Sequence, residues 1–180
     1  MKDGVWRLFY HLVWATKGRE ELITEAVEGR LYPYLVSKAG EMGMAVLAIN
    51  GWTEHVHMVV AIPPKLSVAE VMKTLKGASS HDLNHLSSAL DVRTPHFAWQ
   101  QGYGALTVGE RHCPIAVDYV LRQKEHHANH ALIHPLEACE DGEDGVALTD
   151  AQEHVIVPRL AEGKASYGVN VDAWDEDVPF

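Results

Sequence analysis

A chain of 180 residues, 47% hydrophobic and 22% charged, has the proportions of one globular domain with a full core. No stretch approaches the roughly 18 apolar residues of a membrane span, and Cys113 and Cys139 show no CxxC spacing, which argues against a disulfide framework or a thiolate zinc site. The composition therefore predicts a soluble, cytoplasmic protein with reduced thiols.

In chain order, "VWRLFYHLVWAT" (5–16) is rich in aromatic and β-branched residues and reads as a strand. A helical period follows through "ITEAVEGRLYPYLVSKAGEMG" (23–43), with Pro33 inside it. "MAVLAINGWT" (44–53) and "HVHMVVAI" (55–62) are strands separated by almost nothing, as in a hairpin, and Pro63-Pro64 ends the second. "LSVAEVMKTLKGASSHDLNHLSSAL" (66–90) predicts a helix with Ser67 as N-cap, and "HFAWQQGYGALTVGE" (96–110) a strand with glycine bends. A last helix runs from about Pro114 to His127. The order β-α-β-β-α-β-α predicts a ferredoxin-like α+β sandwich, an antiparallel sheet with helices on one face.

The net charge of −10 is unevenly placed. Residues 1–136 hold 13 Lys and Arg against 13 Asp and Glu, whereas residues 137–180 hold 2 against 12. The boundary falls near Pro135, giving a domain of residues 1–136 and an acidic C-terminal tail of residues 137–180. Such a tail is either a solubiliser or a tethered DNA mimic that competes for a phosphate-binding groove.

Chemistry concentrates in three places. His55 and His57, two apart on a strand, project from the same face, and two imidazoles suit a transition ion if a third ligand is found. On the last helix Tyr119 and Gln123 are four apart and share a face, so a hydroxyl and an amide oxygen can point into one site. Lys73, Lys76, Ser79 and Ser80 around the second helix can meet phosphates, and Trp99 and Tyr103 can stack on bases or fill the core. "HDLNH" (81–85) has the i, i+4 histidines of a zinc hydrolase, but Asp82 stands where the general-base Glu would be. His126, His130 and His134 recur every four residues and read as a solvated face.

"EHVHMVV" (54–60), "TLKGASS" (74–80), "FAWQQGYGALTV" (97–108) and "YVLRQKEHH" (119–127), in this order, resemble the single-tyrosine HUH transposases, which include the REP-associated tyrosine transposases and the small transposases of single-strand insertion sequences. The resemblance spans roughly residues 5–130. It implies that His55, His57 and Gln123 hold a divalent ion, Mg²⁺ or Mn²⁺, and that Tyr119 attacks single-stranded DNA, leaving a covalent 5′-phosphotyrosine and a free 3′-OH. It implies a transposase that nicks and rejoins single-stranded DNA, with hairpin-containing DNA as partner and a possible homodimer; Lys73 and Lys76, read from their place on the second helix, are candidate phosphate contacts or simply a solvated face. Glu54 stands where many relatives have Asp. The alternatives are a domesticated relative that only binds DNA hairpins and a metal hydrolase built on "HDLNH"; intact Tyr119, His55, His57 and Gln123 favour the transposase.

Overall fold

A computed structural model describes residues 5–89 and 96–139. Four antiparallel strands, β1 (Phe9–Ala15), β2 (Ala45–Gly51), β3 (His55–Ala61) and β4 (Gly104–Val108), form one sheet in the order β2-β3-β1-β4. With α1 (Glu25–Glu41) after β1 and α2 (Val68–Ala89) after β3, this is the expected ferredoxin-like α+β sandwich, except that shorter C-terminal helices cover the second face of the sheet, which was expected to be free of helices. No helix among the described residues is long and apolar enough to cross a membrane.

Alternation along the central strands divides their side chains between two faces. Leu12, Trp14, Val56, Met58 and Val60 join the main core beneath α1 and α2. The α1 face is a stripe of Leu31, Leu35 and Ala39 at four-residue spacing. Thr24 caps α1 through the Val27 amide, and Ser67 caps α2 through the Glu70 amide, as its position in the sequence predicts. Pro33 is exposed on α1, which continues through it. The opposite face carries His11, Val13, His55 and His57, all buried, under α3 (Cys113–Leu121), α4 (Gln123–Ala128) and α5 (His134–Glu137).

Three local readings change. The last helix is interrupted: Arg122, at φ −97° and ψ 14°, separates α3 from α4. The fourth strand is limited to Gly104–Val108. Residues ahead of it instead extend the end of β1, through Lys17 N to Ala98 O and Gln100 N to Ala15 O. Finally, Leu136 and Cys139 are buried, Cys139 against Val13 and Ala15, so residues 136–139 pack on the sheet although charge counting assigned all but the first to the tail. The acidic stretch beyond Cys139 lies outside the described residues.

The β2–β3 turn is the tightest constraint near the paired histidines. Trp52 N donates to His55 O at 3.0 Å, and a Cβ on Gly51 would fall 2.1 Å from that same carbonyl. Gly51→Ala therefore forces the start of β3 to move. The expected result is a loss of about 1–3 kcal/mol, read as a lower denaturation midpoint; an unchanged midpoint would show that the turn relaxes freely.

Candidate active site

β3 delivers His55 and His57 to one face. His55 Nδ1 lies 2.9 Å from Glu54 Oε1, and that carboxylate also meets Thr53 Oγ1 and Arg19. A carboxylate can only accept, so His55 carries its hydrogen on Nδ1 and offers a bare Nε2 to the site. Burial opposes the Glu54 charge most strongly, but the hydrogen bond and charge of His55, with the bonds from Thr53 and the backbone, together lower the carboxyl pKa. His57 Nδ1 lies 2.8 Å from Nε2 of His11 on β1. Burial drives His57 down to about 4 and, together with His57 itself, His11 down to about 3, so both rings are neutral near pH 7.

The helices supply the rest. Asn50 on β2 donates to the Leu121 carbonyl at 2.8 Å, fastening the end of α3 to the sheet. Tyr119 is buried with its ring stacked on His126 at 4.8 Å between centroids. Gln123 is completely buried, so despite the break at Arg122 the pair reaches one site. His127 lies flat on Trp52, with its Nε2 3.2 Å from His55 Nε2. The four-residue histidine face does not form, because His126 packs on Tyr119 and α4 ends at Ala128.

One residue unites them. The Glu137 carboxylate accepts from Tyr119 OH at 2.5 Å and from Gln123 Nε2 at 2.9 Å, and sits 3.1 Å from His57 Nε2 and 3.4 Å from His55 Nε2. Burial alone would raise the Glu137 pKa, but its hydrogen bonds, that from His57 first, hold it far below the carboxylate range. Tyr119 moves the other way: burial, then its hydrogen bond to Glu137 and that residue's charge, raise its pKa well above the usual phenol value. Residues 136–139 are anchored by Gln100 Nε2 to Cys139 O and by Arg19 to Cys139 Sγ at 3.3 Å. Gly104 makes room for them, since a Cβ there would meet Ala138 O and Val13.

Ligand atoms of His55, His57 and Glu137 lie within 4.8 Å of one another, a donor set that fits a divalent metal. Gln123 meets the same carboxylate through its Nε2, and its Oε1 is buried without a partner, an orphaned acceptor of the kind a cation satisfies. The structure brings together His55, His57, Tyr119 and Gln123, the residues singled out from the sequence, and adds Glu137, His11 and Glu54, to which sequence reasoning gave no part in the site. The one local signal for Glu137 is its position between Leu136 and Cys139, two apolar residues in an acidic stretch.

Elsewhere, Asp82 of "HDLNH" is held by Arg30 on α1 through two bonds of 2.9 Å. Its carboxylate is taken up by this cation on both oxygens, which weakens the case for Asp82 as the base of a hydrolase there. Ser79 is buried and bonds Leu75 O, and Trp99 packs on Trp14 and Phe97 while donating to Ser79. Both are therefore parts of the core. Lys76 donates to the carbonyls of Gln101 and Gly102, and Lys73 is exposed.

Residues 4–123 match the family described as IS200-like transposases. The chain belongs to that family. It is 30% identical to the ISDra2 transposase TnpA of Deinococcus radiodurans over 114 residues, 61% of this chain and 81% of the relative. With the transposase of insertion sequence IS200 from Salmonella typhimurium it shares 32% over 122 residues, 67% and 79% of the two chains. The crystal structure of a Deinococcus radiodurans R1 protein described as a transposase superposes with a TM-score of 0.54 at 30% identity, covering 68% of this chain and 98% of the other. A REP-associated tyrosine transposase bound to a REP hairpin shares the fold, with a TM-score of 0.51 at 13% identity over 82% and 96%. The IS200-like transposase described here thus has a family that cleaves and rejoins DNA, and a cluster able to hold a divalent ion.

Proposed function

We propose that this IS200-like transposase nicks and rejoins single-stranded DNA through a covalent 5′-phosphotyrosine on Tyr119, at a site where His55, His57 and Gln123 hold Mg²⁺ or Mn²⁺ and Glu137 lies within reach of the same ion. The observation that carries this reading is the convergence of all four candidate side chains on the single Glu137 carboxylate. When bound, the divalent ion supplies positive charge to a non-bridging phosphate oxygen and offsets the charge of the attacking group.

The chain's own residues account for the remainder. The Tyr119 O–H already points at Glu137 Oε1, so the hydrogen leaving the phenol has an acceptor at 2.5 Å. The phenolic oxygen forms a bond to phosphorus as the bond from phosphorus to the 3′ oxygen breaks, and that oxygen takes a proton from solvent water and departs as a 3′-OH, while the phenol's proton passes through Glu137 back to solvent. One phosphodiester replaces another, so a 3′-OH from a second strand can reverse the step without a nucleotide cofactor. His126 and the edges of His11 and His57 hold the Tyr119 ring, limiting the arc through which its hydroxyl swings. Incubation with Mn²⁺ and single-stranded hairpin oligonucleotides, followed by a denaturing gel, should show a protein–DNA adduct. No adduct with any hairpin DNA or with duplex controls would leave only the hairpin-binding alternative.

For DNA contact, the reading draws on a groove of about 790 Å³ between α2 and residues 96–101, lined by Lys73, His81, His85 and His96 among others and by no carboxylate among the described residues. Its wall is joined to the active site by Gln100, whose side chain reaches Cys139 O. Lys73 meets phosphate here, while Lys76 shapes the wall by gripping the 101–102 carbonyls. Lys73→Glu should weaken single-strand binding and reduce its logarithmic salt slope by about 1 or more. An unchanged slope in a titration from low to moderate salt would remove the groove from the DNA path. Pairing of two chains on one DNA remains part of the proposal and is read directly by the mass of the complex.

A further inference from the structure

Beyond its edge contact with the Tyr119 ring, His11 has no part in the reaction just proposed, yet it is buried against its centre. It is 1% exposed, its ring is nearly parallel to that of His57 at 13°, and its Nε2 faces His57 Nδ1 at 2.8 Å. Its other nitrogen, Nδ1, is buried with no partner.

Two nitrogens at 2.8 Å share one hydrogen: one donates and the other accepts. A neutral imidazole carries one hydrogen, so fixing one nitrogen fixes the other. The pair therefore has two arrangements. In the first, His11 Nε2–H donates to His57 Nδ1, and His57 Nε2–H donates to Glu137, an acceptor-only carboxylate at 3.1 Å. In the second, His57 Nδ1–H donates to His11 Nε2, and His57 Nε2 is a bare lone pair. Only the second can ligate a cation. His55 has no such choice, because the Glu54 carboxylate at 2.9 Å holds its hydrogen on Nδ1.

We propose that His11 is a positioning residue that sets the tautomer of His57: donor to His57 while Glu137 takes the Nε2 hydrogen, and acceptor from His57 when a divalent ion takes the Nε2 lone pair. This rests on the reading that the site binds such an ion. The protons balance. His57 Nε2 gives one up to water, the hydrogen between the rings passes from His11 to His57, and His11 Nδ1 takes one from water. The partnerless Nδ1 fits this role, since nothing nearby fixes it as donor or acceptor. A carboxylate in place of His11 would lock His57 in one form, as Glu54 locks His55.

The test uses the full chain labelled with ¹⁵N-histidine and Zn²⁺ alone as a diamagnetic probe. Long-range proton–nitrogen spectra distinguish Nδ1–H from Nε2–H rings. Without metal, His11 and His57 should both be Nε2–H and His55 Nδ1–H; with Zn²⁺, His11 and His57 should both become Nδ1–H. A His11 ring with the same tautomer in both states overturns the proposal even if His57 changes. No response of His55 or His57 to Zn²⁺ overturns the ion reading and this one with it. In parallel, His11→Phe keeps a ring but no acceptor, and should weaken Mn²⁺ binding about tenfold or more. His11→Gln, with an amide at the Nε2 position, should restore most of it. Equal affinity for wild type and His11→Phe, or equal loss in both variants, refutes the assignment.

Discussion

Tyr119→Phe should abolish the covalent protein–DNA adduct while fold and DNA binding persist. The phenylalanine ring keeps the stack on His126 and the edge contacts to His11 and His57, and the substitution deletes the oxygen that bonds Glu137 and accepts from Ile133 N at 3.3 Å. Losing those bonds costs about 1 kcal/mol of stability. Losing the nucleophile removes the reaction, a drop of at least about 10³-fold in adduct formation. A denaturing gel with end-labelled single-stranded DNA reads the adduct, and a band-shift reads binding. An adduct at wild-type level in the variant would transfer the nucleophile's role to another residue.

His57→Ala is the second large effect, and it separates charge chemistry from packing. The ring is fully buried and links His11 to Glu137, so its removal leaves the buried His11 and the half-buried Glu137 each short of a partner, as well as a cavity. We expect a stability loss of about 2–4 kcal/mol and no detectable cleavage. Gln123→Ala should be milder in cleavage, because water can replace an amide oxygen more easily than an imidazole. Chelation controls for the structural part: wild-type protein in EDTA keeps His57 and its packing but should lose cleavage and regain it with Mn²⁺. Undiminished cleavage in EDTA would end the metal reading, whatever the alanine variant does.

Much of this architecture is legible along the chain because strand and helix periods are properties of neighbours. The β-α-β-β-α-β order, the Ser67 cap, the shared face of His55 and His57, and the pairing of Tyr119 with Gln123 all follow from spacings of two to four residues. The break at Arg122 does not follow, and the convergence of Tyr119 and Gln123 survives it only because both are packed against the sheet. Trp99 is equally ambiguous as sequence, fit for a base or for the core. Its indole is claimed by Ser79 and Trp14, partners twenty and more residues away.

The deepest parts of the site were decided by tertiary structure. His11 meets His57 across 46 residues, and Glu137 meets His57 across 80. Composition placed Glu137 with the acidic tail because charge counting averages over a segment. In the fold, Leu136 and Cys139 bury themselves on the β1 side of the sheet and carry the carboxylate between them into the cluster. A sequence names which residues have chemistry and which of their near neighbours share a face. Strand register and helix packing choose the distant partners, and those partners set the charge of Glu137 and the neutrality of His57, because burial and hydrogen bonding act through space rather than along the chain.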